Sequence, residues 1–481
     1  MHDGTKLKDR FGLPVTTSSP AAAEHCFEGI DLLLSQNFGP EARFQQAIDT
    51  DEGFALAHGC LAWVSMLRGK VAEARESAAR AQALTAGISA RERQQIEAIS
   101  LWVNGQGPQA LALIQEHLKE YPRDTLLLRQ AQRLYIQGCS GAGVPNFPEE
   151  LFALCTSLEK HCDDDWAFLG SYAFAHHETG RLEGAFKLAN RSLDMKPTNA
   201  VAAHSVTHVY FEQGDASQGG DFLGTWLEGF DKRAAYHVHL SWHQALFELG
   251  MGHYQTALNL YETDVRPSVI EKSAASLSDS ASFLWRLQLY SQAAPPFPWE
   301  EVRDQAAPAA KGPGPAFRDG HAALAFAGTG DHEAMGQLRD RLKVLAGQGD
   351  PLAQEMTLPL VSGIAAFAEG SYNEAVRLLE PVCQQLERIG GSHAQREVFE
   401  DTLLEAYLRA EQFDKGEDML RTRLSRRASV RDTFWLGRAQ SGNHQPDQAR
   451  STFQQAAKSW EEYGAASPEY DNLNRFASQS V

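Results

Sequence analysis

With 481 residues, 43% apolar and 22% charged side chains, the chain has a folded globular composition that excludes disorder and a coiled coil. Lys and Arg number 44 against 62 Asp and Glu, and the resulting formal charge of −18 repels phosphate backbones, so nucleic acid is not an expected partner. Six cysteines lie scattered without any C-x-x-C, which excludes a zinc ribbon and a disulfide scaffold and suits a reducing cytoplasm. No signal-peptide pattern opens the chain and no apolar run reaches the roughly 18 residues of a membrane span, so a cytoplasmic location without a membrane partner is expected.

In chain order, Met1 to Pro20 reads as an N-terminal arm, and residues 21–481 as one superhelical domain. Within it Ala74, Ala110, Ala185, Gly219, Ala257, Ala375 and Ala449 recur at one to three multiples of about 34–39 residues. Each follows a turn by about five residues, as a small residue must where two antiparallel helices approach closely. The turn glycines are clear at Gly69, Gly105, Gly180, Gly252 and Gly370, with Pro122 and Pro197 closing units. Weaker units start at Gly214, Gly330 and Phe413, and the stretches Cys139–Asp163 and Pro267–Phe317 match poorly. The second stretch holds Ala294-Pro295-Pro296-Phe297-Pro298 and Lys311-Gly312-Pro313-Gly314-Pro315, read as loops near 292–318 around a short helix beginning near Trp299. The pattern predicts an all-α tetratricopeptide-like solenoid of about ten or eleven helical pairs, enough to wind around a central cavity.

Longer words go beyond generic repeats: Gly12-Leu13-Pro14, the run from Ala203 through Val209, Tyr236 through His243, Asp279-Ser280 with Leu284 to Leu287, Arg318-Asp319-Gly320-His321, and Gly390 through Phe399. In their order and spacing the chain resembles a bacterial member of the tetratricopeptide repeat protein 38 family over nearly its full length. The resemblance implies the repeat fold and little about chemistry. Two positions depart from the family pattern: Phe211 stands where a carboxylate is usual, with Glu212 one later, and Leu240 where an asparagine usually follows the histidine matching His239.

The candidate site is a histidine constellation in mid-chain. His204 and His208 are four apart, so they share a helix face, and Glu212 continues the stripe. Counted from the turn glycine, these are first-helix positions expected to face the concave groove. The next unit adds His239 and His243, again four apart, and His177 with Glu178 ends the preceding first helix. Three readings stand side by side. The imidazoles, with Glu178 or Glu212, ligate one divalent metal through His204, His208, His239 and His243. Or, with no metal, they hold a small polar ligand with His204, His208 or His243 as acid or base. Or they are neutral structural groups hydrogen-bonded within the repeat core.

Further ligand-binding candidates are Asp279 with Arg286, Asp319 with His321, and Gln395 with Arg396. For each a plainer reading competes: an Arg286–Asp279 support pair, a helix-dipole carboxylate with a surface histidine, and a Ser392 cap with Arg396 in an ion pair. The five arginines of Arg421–Arg431 read as a solvated helix face. Nucleotide-binding, serine-hydrolase and H-E-x-x-H motifs are absent from the sequence. The chain is therefore read as a binding protein for a small molecule or peptide segment in a His-rich concave pocket. The alternative is an enzyme on a small metabolite using the same groups, and a homodimer is compatible with either. His, Glu and aromatic residues in place of Asn and Lys tilt the groove toward a small ligand.

Overall fold

The computed structural model describes residues 7–273, 276–291, 297–312 and 314–465. Among these residues there is no strand beyond one isolated bridge between Lys8 and Pro14, and helices pair into hairpins along the whole length. The fold is all-α and tetratricopeptide-like. Twelve hairpins form among the described residues, slightly more than expected, because the two poorly matched stretches are also helical. Phe147–Cys162 fills the first, and Ser276–Ser291 and Trp299–Lys311 fill the second. The expected helix at Trp299 is there; residues 292–296 and Pro313 of the predicted loops lie outside the described residues.

The hairpin turns work as the sequence predicts. Gly69, Gly105, Gly180, Gly214, Gly252, Gly330 and Gly370 all have φ between 68° and 86°, the left-handed region that a side chain disfavours. The repeat alanines Ala74, Ala110, Ala185, Ala257, Ala375 and Ala449 are fully buried between their helices. Gly219 replaces alanine for a local reason: a Cβ there would overlap the ring of Phe247.

By contacts the chain forms two compact units, residues 1–206 with 230–237 and residues 207–229 with 238–481. The first has a core running from Val15 to Ala175, built of hairpins from Pro20–Leu34 onward. Its arm is pinned by charge. Arg10 pairs with Asp31 at 2.8 Å and with Asp165, and lies over the Trp166 ring; Asp9 pairs with buried Arg91 at 2.7 Å. The second unit has one large core, from Trp242 to Tyr407, and a smaller one around Trp435 and Trp460. No helix among the described residues is long and apolar enough to cross a membrane.

Candidate functional site

The second unit gathers most of the candidate residues. Helix Ala200–Gln213 contributes His208 and Glu212, and helix Ala235–Met251 contributes His239, Trp242 and His243. Two more, Ser276–Ser291 and His393–Arg409, contribute Asp279 and Gln395. The rings of His208 and His243 meet edge to face with centroids 4.7 Å apart, and His243 meets His239 in the same way at 4.8 Å. His239 also stacks on Trp242, at 5.4 Å and 16°. Helical spacing explains the grouping, since positions three and four apart lie above one another on one face.

A hydrogen-bonded line fixes the outermost of these imidazoles. His239 Nδ1 donates to Asp279 Oδ2 at 2.9 Å, and Gln395 Nε2 donates to Asp279 Oδ1 at 3.3 Å. Gln395 is itself set by the Ser392 amide, which donates to its Oε1 at 3.1 Å. With Nδ1 carrying the proton toward the carboxylate, neutral His239 presents Nε2 as its acceptor. His208 and His243 are buried, whereas the His239 side chain keeps 15% of its surface open, so it is the accessible member of the three. Burial pushes the His208 imidazole down to about 3, with His239, His393 and Arg396 adding repulsion against the opposing pull of Glu212. His208 is therefore neutral at ordinary pH.

Beside it lies an ion-pair network. His393 Nδ1 stands 2.6 Å from Glu212 Oε1. Burial alone would lower the His393 imidazole, but Glu212, with Glu397 and Glu400, more than reverses this and its value is raised. Burial would likewise raise Glu212, but His393 and then Arg427 hold it down at about 2. His393, Glu397 and Glu400 place ligating atoms within 4.8 Å of one another, a spacing a metal ion could bridge. Their partners fit charge balance better: Glu397 takes Arg423 at 3.0 Å and Arg427, and Arg423 also binds Asp401 and Asp432, each at 2.9 Å.

Several expectations are corrected here. The Arg421–Arg431 stretch is a solvated face only at Arg421 and Arg426: Arg423 is buried and Arg427 half-buried as counter-charges to the acids of neighbouring helices, and Arg431 is buried against the Tyr254 hydroxyl and aromatic rings. Arg286 does not pair with Asp279. Its Nη2 donates to the Ala394 carbonyl at 2.6 Å and its Nε faces Asp401 at 3.4 Å, two helical turns from the Asp279 end of its helix. His321 is not a surface residue but fully buried against Phe317 and Phe399, donating through Nδ1 to the Phe317 carbonyl, and burial lowers it to about 4. Asp319 is buried too, between Arg318 and Arg341, and burial raises its carboxyl despite them. Ser392 does cap its helix, and Arg396 turns its Nη1 to the Gly391 carbonyl.

His204 and Glu178 belong to the first unit. His204 Nδ1 lies 3.2 Å from the Tyr236 hydroxyl, its ring stacks near Phe174, and His177 meets it edge-on at 6.3 Å. Glu178 Oε1 sits 3.6 Å from His177 Nδ1. Sequence reasoning passed over His393, Glu397, Asp401 and Arg423. The available signal was acid and base at spacings of three and four along His393–Arg409, but their partners come from other helices: Glu212 from Ala200–Gln213, Arg423 from Phe413–Arg426 and Asp432 from Val430–Gly442.

No family model matches the chain. Among solved structures it is similar to a tetratricopeptide repeat protein from Parabacteroides merdae, at 11% identity over 66% of this chain and 98% of that one, with a TM-score of 0.28. It is also similar to the human IFIT1 dimer with m7Gppp-AAAA, at 13% identity over 94% and 98% of the two chains, with a TM-score of 0.36. The likeness is one of helical repeats and carries no residue correspondence.

Proposed function

We propose that the protein binds a small polar molecule, with His239 of the second unit as its polar anchor. One observation carries this reading: the only partly open imidazole of the His208–His243–His239 group is the one whose tautomer is set by Asp279 and, behind it, Gln395. A fixed acceptor nitrogen beside the flat face of Trp242 suits a ligand that combines a hydrogen-bond donor with a planar or apolar part. Membership of the tetratricopeptide repeat protein 38 family is part of the same proposal. The test is a thermal-denaturation screen against small polar metabolites, repeated on His239→Ala. A compound that raises the melting temperature of the wild type but not of the variant supports the reading; equal shifts in both overturn it.

A second reading, an enzyme on a small metabolite, is favoured by the same Asp279–His239 bond. A carboxylate that orients an imidazole is the arrangement of a general base and equally of a metal-ligating histidine with its outer partner. His208, neutral at working pH, and His243 are the residues of this unit that would ligate a divalent metal. Elemental analysis of protein purified without a metal column, beside His243→Ala, separates the two: stoichiometric metal lost in the variant supports metal-assisted chemistry, and metal-free wild type removes it.

A further inference from the structure

In the first unit, helix Thr125–Tyr135 buries nine of its eleven residues, and the two left over are Arg129 and Arg133, one turn apart on one face. Two arginines elsewhere in this unit show the contrast: Arg91 lies between Asp9 and Asp124, and Arg10 between Asp31 and Asp165. Arg129 and Arg133 meet no carboxylate among the described residues. Arg129 donates to Gln132 Oε1 at 2.7 Å and neighbours the Tyr236 phenol, and the charge that acts most strongly on Arg133 is that of Arg129. In a chain with 62 acidic against 44 basic residues, two adjacent uncompensated guanidiniums are a conspicuous expense, since like charges four apart on a helix repel.

Their surroundings are also crowded. Arg133 is open to solvent, yet crowding by protein lowers the basicity of both side chains, with repulsion from Arg129 adding to the effect at Arg133. Solvent reaches such a place, but the shell of water around the charge is incomplete, so an anion arriving there is attracted more strongly than on an open face. The Tyr236 hydroxyl, 3.2 Å from His204 Nδ1, lies at the same spot as a neutral polar group.

We propose that Arg129 and Arg133, with the Tyr236 hydroxyl, form an anion-binding site that takes the phosphate or carboxylate group of a small molecule. Guanidinium forks match both oxyanions in geometry, and binding would supply the counter-charge that the protein withholds. These residues are separate from those of His239 and Asp279, so this proposal stands or falls independently of the reading above.

The test is calorimetric titration of the full chain with inorganic phosphate and, separately, with acetate, against a chloride background. Wild type is expected to bind at least one, and the stronger of the two names the group. Arg129→Gln and Arg133→Gln should each weaken binding by about tenfold or more, and the double variant should abolish it. Arg133→Gln should also melt no lower than wild type without anion, because it removes a repulsion. The proposal is overturned by wild type that binds neither anion, by a double variant that binds as wild type does, or by a fall in the unliganded melting temperature of Arg133→Gln, which would make the charge structural.

Discussion

His393 Nδ1 and Glu212 Oε1 lie 2.6 Å apart although 181 positions separate them in the chain, and this contact ties helix Ala200–Gln213 to helix His393–Arg409 within the second unit. Its charges are opposite and mostly buried, and each holds the other in its ionised form.

That mutual hold sets a pH window. With its value raised in the folded state, His393 contributes stability that is fully present below about 6.5 and lost as pH rises through the raised value. Glu212, lowered to about 2, contributes stability present above about 4.3 and lost only as pH falls toward 2. The pair is therefore strongest on the mildly acidic side of neutrality. Glu397 and Glu400 also face His393, and Arg427 faces Glu212, so both act in the same sense. Urea unfolding of wild type and His393→Gln between pH 6 and 9 should show the wild type losing its advantage as pH rises. A constant difference across that range would contradict the assignment.

His208 behaves oppositely. Its folded value of about 3 lies below the unfolded value near 6.5, so its contribution is complete above about 6.5 and declines as pH falls toward 3, where the unfolded chain takes up the proton first. In an NMR titration its Cε1 proton should stay at the neutral shift through pH 5. A His208 midpoint near 6 would show that the imidazole is not enclosed as described.

Arg423 is the hub of three acids, Glu397, Asp401 and Asp432, all buried with it. Removing one member of a buried ionic set leaves charges without compensation, at a cost of roughly 3–5 kcal/mol. Arg423→Ala should therefore lower urea stability by about that amount, and combining it with Glu397→Gln should recover part of the loss. If Arg423→Ala costs under about 0.5 kcal/mol, as changes on a solvated surface do, the network is not buried as described.

Gly219 marks where packing overrides the repeat consensus. Restoring the expected alanine drives a methyl into Phe247, and overpacking of this kind costs about 1–3 kcal/mol. Gly219→Ala should melt lower than wild type, and Phe247→Leu should relieve the penalty in the double variant. Additive losses would place the strain elsewhere.

The sequence by itself determined the architecture. Periodic small residues, turn glycines able to take the left-handed conformation without strain, and closing prolines are local constraints, so they read out hairpin by hairpin without knowledge of neighbours. Helical spacing also revealed that His208 with Glu212, and His239 with His243, share faces. The tertiary structure decided the partners. Asp279 turned out to orient His239 and not to hold Arg286, His321 went inside, and two arginines that looked solvated, Arg423 and Arg427, became counter-ions. The physical reason is that burial and charge compensation are settled between helices far apart in sequence, where a one-dimensional pattern shows which groups share a face but not what that face meets.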